Sequence, residues 1–265
     1  MLCCSAQMTG IWESPEQSLL KAETSIRDAS GRGAKLVAFP EQFAAGWNPA
    51  SAKNIEELNG TTITGLKKLA RKYRITVIGS FRESFEPRPR NTAVAIGSDG
   101  NILATYAKIH LFSPAHEESH FTAGTSLGIF SLEGISFGLA ICYDLRFPDL
   151  FQVYREKGVH VVIVPAAWPK NRIRYWEIFI QSRAAENQIY VAGVNTTGSN
   201  PVDEYAGASM TADPKGTVIA RAGTNDELLF YDIDPGVAEQ TRRSFPVYND
   251  RKNLLYSKLR EEPQE

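Results

Sequence analysis

Short apolar strands alternate with helical segments along this chain, and tight turns between paired strands interrupt the alternation. The turns at 98–100, 133–134 and 213–216 each separate two strand-like runs, which predicts three hairpins. Parallel strands are joined by long crossover connections rather than by hairpins, so a purely parallel sheet does not fit this pattern. The sequence therefore predicts an α/β fold with a mixed sheet, which carries helices on one face and another apolar layer on the other.

Helical patterns occupy several of the segments between the strands. Residues 14–17, Ser-Pro-Glu-Gln, have the composition of a helix start, with Ser14 as the N-cap and proline at the first helical position. Further helical patterns run over 64–73, 147–157 and 174–187. We expect these helices to cover the apolar strands.

Charge and cysteine content narrow the possible classes of protein. The 265 residues carry a net charge of -1, which provides no basic field for nucleic acid or for an anionic membrane surface. Three cysteines predict no disulfide framework and a reducing, cytoplasmic environment. The first residues lack the pattern of a signal peptide, and no apolar run reaches the roughly 18 residues of a membrane span. We expect one domain over 1–265, with a polar tail from about residue 236.

Three polar residues directly follow apolar strand segments. Glu41, Lys108 and Cys142 each occupy such a position. Ligands of α/β sheets bind outside the carboxyl ends of the strands. If the three strands are parallel neighbours, the three side chains meet in one pocket.

The chemistry of such a pocket would be nucleophilic catalysis. A thiol needs a base or a positive field to react at neutral pH, and Glu41 could accept the proton of Cys142 as the sulfur attacks a carbonyl carbon. Lys108 and the backbone N–H of Tyr143 could stabilise the resulting oxyanion. Each residue also fits a structural role, as a solvated charge or a small buried side chain, and spacing alone does not decide between these interpretations.

The residues around these positions resemble a known family. Segments 39–43 (Phe-Pro-Glu-Gln-Phe), 106–112 (Tyr-Ala-Lys-Ile-His-Leu-Phe) and 141–148 (Ile-Cys-Tyr-Asp-Leu-Arg-Phe-Pro) are similar, in order, to the three signature blocks of the nitrilase superfamily of carbon–nitrogen hydrolases. The resemblance continues through 183–188 and 207–209 and so covers nearly the whole chain.

This resemblance implies specific roles and a specific architecture. Glu41 matches the general base, Lys108 the lysine that binds the oxyanion, and Cys142 the nucleophile. Glu117 is the best match to the family's second glutamate, although Glu118 is adjacent. The family implies a four-layer α-β-β-α sandwich, which supplies the further apolar layer. It also implies homodimers or larger oligomers, with the tail at an oligomer interface.

Within the superfamily the chain looks most like the omega-amidases. The segments 167–169, 198–201 and 246–247 carry this similarity, whereas Tyr175 and Lys215 replace the His and Trp of many relatives. The resemblance implies hydrolysis of the monoamide of a short dicarboxylate, such as 2-oxoglutaramate, to acid and ammonia. A deaminated glutathione amidase, an N-carbamoyl amino acid amidohydrolase and a nitrilase are the alternatives within the superfamily.

A dicarboxylate monoamide needs a cation or donor for its free carboxylate. Arg172 and Arg174 are the candidates, although both also fit an exposed loop, and Arg146 is expected to pair with a protein carboxylate. Aromatic residues near the motifs are expected to wall a small pocket: Phe43, Phe112, Tyr143 and Trp168.

Two other interpretations remain open. His110 could act as the base of a papain-like Cys–His pair, but this leaves Glu41 and Lys108 without a role. A catalytically inactive binding module would be expected to lack one of the three residues, and all three are present. No metal, nucleotide or flavin motif appears, so no cofactor and no metal site are expected.

Overall fold

A computed structural model describes residues 1–261 and contains two large mixed sheets. The first sheet has the strand order β15-β1-β2-β4-β5-β6, with β3 beside β4. Its strands are β1 (Leu2–Gln7), β2 (Leu36–Ala38), β3 (Ile55–Glu56), β4 (Thr76–Glu83), β5 (Arg90–Ile96), β6 (Ile102–Ala107) and β15 (Glu227–Asp232).

The second sheet has the order β14-β13-β10-β9-β8-β7, and a two-stranded ribbon, β11-β12, lies beside it. These strands are β7 (Gly128–Leu132), β8 (Ile135–Leu139), β9 (Val161–Ala166), β10 (Tyr190–Asn195), β11 (Thr197–Ser199), β12 (Glu204–Ala206), β13 (Met210–Ala212) and β14 (Val218–Arg221). The central strands β8, β9 and β10 run parallel.

Successive side chains along the strands of the first sheet point alternately into two separate apolar cores. In β1, Cys3 faces the second sheet, whereas Cys4 faces the helices on the opposite side. In β4, Val77 and Ile78 divide in the same way, because successive side chains of a strand point to opposite faces. The helices are α1 (Pro15–Gly31), α2 (Thr61–Tyr73), α3 (Glu117–His120), α4 (Pro148–Glu156), α5 (Ile173–Asn187), α6 (Pro235–Ser244) and α7 (Asn253–Glu261).

The layers confirm the expected α-β-β-α sandwich. Helices α1 and α2 cover the outer face of the first sheet, and α4 and α5 cover the outer face of the second. The side chains between the two sheets form the further apolar layer that the hairpins require. The three hairpins are also confirmed as β5-β6, β7-β8 and β13-β14.

Helix α1 starts where the sequence predicts it, and α2 starts earlier. Ser14 occupies the N-cap position of α1, but its side chain makes no capping hydrogen bond. Helix α2 begins at Thr61 rather than at 64, because the Glu56 carboxylate accepts hydrogen bonds from the backbone N–H and the hydroxyl of Thr62 at 2.7 and 2.5 Å. A carboxylate that comes from outside the helix satisfies the first turn and extends it.

The strand arrangement corrects one sequence assumption. Glu41 and Lys108 follow β2 and β6 of the first sheet, which are separated by β4 and β5, whereas Cys142 follows β8 of the second sheet. The three strands are therefore not neighbours. They meet because two facing sheets present the carboxyl ends of these strands at a common edge.

The tail lies along α4 and is only partly packed. Asn253 and Arg260 of α7 contact Gln152 and Asp149 of α4 through polar groups. No helix within residues 1–261 is long and apolar enough to cross a membrane.

Candidate active site

A buried ion-pair cluster stands where the two sheets meet. Lys108 Nζ lies 2.9 Å from Glu41 Oε1 and 2.9 Å from Glu117 Oε2, and each of these side chains is at most 2% exposed. Glu117 comes from the short helix α3, which follows the lysine segment. One cation thus contacts two carboxylates in a site that excludes bulk water.

The second glutamate of the site is fixed by further hydrogen bonds. Glu117 also accepts from the backbone N–H of Phe112 at 2.7 Å and from Trp47 Nε1 at 3.3 Å. Glu118 is exposed and points to the neighbourhood of His116 instead. The geometry therefore places Glu117, rather than Glu118, against Lys108.

Cys142 lies at a sharp turn beside this cluster. It begins the 3-10 turn Cys142–Arg146 with a φ of 45°, in the left-handed region that non-glycine residues rarely adopt. Cys142 is 9% exposed, and it lines the same cavity as Glu41 and Lys108. Strain of this kind persists only where the surrounding structure enforces it.

Hydrogen bonds to Asp144 hold the turn at Cys142 in place. Its carboxylate is fully buried and accepts hydrogen bonds from the backbone N–H of Ile141 at 2.9 Å and from the Tyr106 hydroxyl at 2.8 Å. It also accepts from the backbone N–H of His110 at 2.9 Å and contacts His110 Nδ1 at 2.8 Å. One carboxylate thereby ties the cysteine segment of the second sheet to the lysine segment of the first.

Burial and charge shift the titration of the cluster. Burial and the Glu117 charge raise the pKa of Glu41, against the opposing effect of Lys108. Burial and the Glu41 charge also raise the pKa of the Cys142 thiol. Burial alone would lower the pKa of Lys108 and raise that of Glu117, but the contacts of each group together outweigh it. Glu117 and Glu41 raise the pKa of Lys108, and Lys108 together with the hydrogen bonds from Phe112 and Trp47 lowers the pKa of Glu117. Proton transfer from the thiol to Glu41 needs the ionised form of that carboxyl group, and the Lys108 charge favours this form.

A cavity of about 200 Å³ opens directly onto these groups, which is room for a small organic molecule. Glu41, Lys108 and Cys142 line its floor. The remaining walls include Trp47, Phe112, Tyr143, Arg146, Trp168 and Arg172.

Comparison with known proteins identifies the family. Residues 3–243 match the carbon-nitrogen hydrolase family model. The chain belongs to the carbon-nitrogen hydrolase family. The match confirms the resemblance that the three motifs predicted.

Relatives of this hydrolase include amidases. It is 34% identical over 244 residues to the 2-oxoglutaramate amidase of Bacillus subtilis, covering 91% of this chain and 94% of that protein. It is 32% identical over 254 residues to Omega-amidase NIT2 of Homo sapiens, covering 91% of each. A mutant of the amidase from Nesterenkonia sp. AN1, which carries the acetamide moiety of fluoroacetamide on its active-site cysteine, superposes with a TM-score of 0.84 and 26% identity over 94% of this chain and 96% of that chain.

Not every predicted substrate contact of this hydrolase reaches the cavity. Phe112, Tyr143, Trp168 and Arg172 line it. Phe43 instead packs in the core beneath the first sheet, where it stacks on Phe39 at 4.8 Å, although it also borders a small side cavity near Glu41. Arg174 is exposed on the outer surface of α5 and lies outside the cavity lining. An aromatic or cationic residue near a motif is a weak signal, because neighbours in sequence point in different directions.

The expectation for Arg146 is wrong. Within residues 1–261, its guanidinium pairs with no carboxylate. It lies instead among aromatic rings on the cavity wall, 5.2 Å from the Trp168 ring and 5.0 Å from the Tyr175 ring. The acid nearest to it in sequence, Asp144, is occupied by His110 and Tyr106.

The histidine alternative lacks the geometry of a Cys–His pair. His110 Nδ1 contacts Asp144, and the His110 ring stacks on Phe147 with centroids 3.7 Å apart. His110 is absent from the cavity lining, whereas Glu41 borders both the cavity and the thiol. Across residues 1–261, no group of three His, Cys, Asp or Glu side chains has the arrangement of a metal site.

Proposed function

We propose that this carbon–nitrogen hydrolase cleaves the terminal amide of a short dicarboxylate monoamide, of the 2-oxoglutaramate type, to the acid and ammonia. The names of the similar amidases from Bacillus subtilis and Homo sapiens support this substrate class. The observation that carries the proposal is a pair of arginines, Arg146 and Arg172, on the wall of a cavity whose floor holds a nucleophile and a base.

The two arginines fit a free substrate carboxylate. Arg172 lies over the Phe112 ring at 5.1 Å, and like Arg146 it forms no ion pair with any carboxylate of residues 1–261. Asp203 also borders the cavity, but it lies beyond ion-pair distance of both guanidinium groups. Aromatic contacts hold a guanidinium in place without neutralising it, so both cations stay available for an anionic group.

Acylation follows from the arrangement of the floor. Glu41 takes the proton of the Cys142 thiol while the sulfur forms a bond to the amide carbon. Lys108 and the Tyr143 N–H stabilise the negative charge on the oxygen, because the first N–H groups of a helical turn have no partner within the helix. Glu41 then gives its proton to the nitrogen, and the C–N bond breaks. Ammonia departs, and the acyl group stays on Cys142 as a thioester.

In deacylation, water is the nucleophile and Cys142 is the leaving group, and Glu41 is again the base. Glu41 accepts a proton from water as the water oxygen bonds to the thioester carbon. The C–S bond then breaks, Cys142 takes back the proton, and the dicarboxylic acid is released. Cys142→Ala should therefore abolish ammonia release while the protein stays folded.

A panel of paired amides tests the substrate class. We expect 2-oxoglutaramate and succinamate to be hydrolysed, with kcat/KM about a hundredfold above that of butyramide, which lacks the carboxylate. Arg172→Gln should raise KM for the charged amides about tenfold or more and leave butyramide unchanged. The matched control is Arg174→Gln, on the exposed side of α5, which should affect neither. Equal turnover of charged and uncharged amides by the wild type would refute the dicarboxylate proposal and leave amide hydrolysis standing.

We also propose that the tail covers a second copy of the chain. Helix α7 contacts its own α4 through polar groups, while Leu254 and Leu259 are 84% and 54% exposed. A nine-residue helix is marginal without apolar packing, so its leucines need a partner. Leu254→Lys together with Leu259→Lys should convert a dimer to a monomer in sedimentation velocity, and an unchanged mass would contradict this.

The cytoplasmic location stays a prediction, which the three free cysteines support.

A further inference from the structure

One buried amide contacts both carboxylates of the site. Asn91, the second residue of β5, is fully buried, and its Nδ2 donates to Glu41 Oε1 at 2.7 Å and to Glu117 Oε1 at 3.3 Å. Lys108 Nζ donates to the same two carboxylates. The four side chains form a closed ring in which donors and acceptors alternate.

The neighbours of Asn91 determine how its amide is oriented. Ionised carboxylates only accept hydrogen bonds, so the NH2 group and not the amide oxygen must face Glu41 and Glu117. The amide oxygen is buried and has no donor among residues 1–261. An unpaired buried oxygen is unfavourable, so the two bonds on the nitrogen side must offset this cost.

The ring also determines how the lysine protons are used. An ammonium group has three N–H donors, and the two carboxylates occupy two of those of Lys108. One proton is left for a substrate oxygen. Asn91 adds a donor to each carboxylate, beside the Ala167 N–H on Glu41 and the Phe112 N–H on Glu117, and it does so without using a lysine proton.

We propose that Asn91 is a positioning residue for the reaction: its amide closes the ring, holds the Glu41 carboxylate towards the thiol and leaves one Lys108 proton free for the oxyanion. Loss of a donor to an ionised carboxylate raises the pKa of that carboxylate. The other charged or titratable groups that act on Glu41 are Glu117, Cys142 and Tyr205, and variants of Asn91 leave all three in place.

The pH dependence of Cys142 alkylation tests this role. The rate of alkylation by iodoacetamide is measured by mass spectrometry between pH 4 and 9 for the wild type, Asn91→Ala, Asn91→Leu and Asn91→Asp. The rise of the alkylation rate at acidic pH reports ionisation of Glu41. We expect this acid limb to move to a higher pH, by about 1–2 pH units, in Asn91→Ala. Asn91→Asp has the same shape but replaces the donor by a third carboxylate, so its acid limb should move further. The exposed turn residue Asn101 provides the control, and Asn101→Ala should leave the profile unchanged.

The outcomes separate positioning from space filling. If Asn91 only fills space, Asn91→Leu, which has nearly the same size but no donor and no charge, will retain the wild-type profile, and this would overturn the proposal. An unchanged acid limb in folded Asn91→Ala would overturn it equally. Circular dichroism checks folding, and Asn91→Ser, which is smaller and keeps one donor, should show an intermediate shift if Asn91→Ala does not fold.

The test is independent of the substrate. The inference rests on the proposed roles of Glu41 and Cys142, but alkylation needs no amide turnover. A shifted alkylation profile without ammonia release from any dicarboxylate monoamide would reject the proposed function and retain the role of Asn91. In an active enzyme, Asn91→Ala should lower kcat about tenfold or more and change KM little, because the amide does not line the cavity.

Discussion

Replacement of Lys108 by methionine tests the charge balance on which the site depends. The ammonium group is 1% exposed and lies 2.9 Å from each of Glu41 and Glu117. Lys108→Met keeps an unbranched apolar stem but removes the terminal ammonium, so two buried carboxylates lose their cation. Breaking a buried ion pair by removing one partner costs about 3–5 kcal/mol of folding stability. Two close carboxylates cannot both remain ionised at neutral pH, so we expect one of them to bind a proton.

The loss of activity should exceed the loss that one oxyanion donor alone would cause. Removal of such a donor lowers kcat by about 10²–10³. Protonation of Glu41 would weaken the base as well, so we expect Lys108→Met to lower kcat at least about 10³-fold, with a smaller effect on KM. Ammonia release gives kcat and KM, and urea unfolding followed by circular dichroism gives the free energy of unfolding.

A double variant separates stability from catalysis. Lys108→Met with Glu117→Gln removes one of the two unpaired carboxylates, so it should recover part of the lost stability and none of the activity. Lys170→Met, at an exposed pair with Glu204, is the matched control and should change stability by less than about 1 kcal/mol. The reasoning would be refuted if Lys108→Met kept a tenth of the wild-type kcat, or if the double variant were no more stable than the single one.

The remaining predictions concern the support of the site and its pH range. Arg82→Met should lower the free energy of unfolding by about 3 kcal/mol in urea, because a fully buried guanidinium donates to Glu13 and to backbone carbonyls; a loss below about 1 kcal/mol would contradict this. Asp144→Ala should lower kcat about a hundredfold by loosening the link between the two sheets, whereas Asp144→Asn should lose less, and steady-state kinetics measures both. Burial raises the pKa of Glu41 above 4.5, so the inactive protonated form persists above that pH and kcat/KM should rise with pH only above it. Burial also raises the pKa of Cys142 well above 9.0, so the profile should stay level to about pH 9, and a limb below pH 4.5 would oppose this assignment.

Hairpins and alternation are local signals, and they predicted a mixed sheet with a further apolar layer, whereas the four-layer sandwich was implied by the family resemblance. Turn residues and period-two patterns are properties of a few adjacent residues, and they predicted β5-β6, β7-β8 and β13-β14. The start of α2 could not be predicted in this way, since its first turn is stabilised by Glu56, which precedes the helix and joins no helical pattern. The surroundings of Arg146 could not be predicted either, because the aromatic rings near it, Trp168 and Tyr175, come from other segments of the chain.

The direction of each strand determines which of its ends lies at the catalytic edge. In a parallel strand the residues that reach the catalytic edge are the first ones beyond its carboxyl end: Lys108 directly follows β6, and Glu41 and Cys142 lie shortly after β2 and β8. β5 runs antiparallel to β4 and β6, so its beginning lies at that edge, and Asn91 enters the site from the start of a strand. In a mixed sheet, the first polar residues of antiparallel strands therefore deserve the same scrutiny as the last residues of parallel ones. The sequence shows an asparagine shortly before an apolar run, and only the direction of the strand, which the hairpin sets, indicates that this asparagine reaches the site.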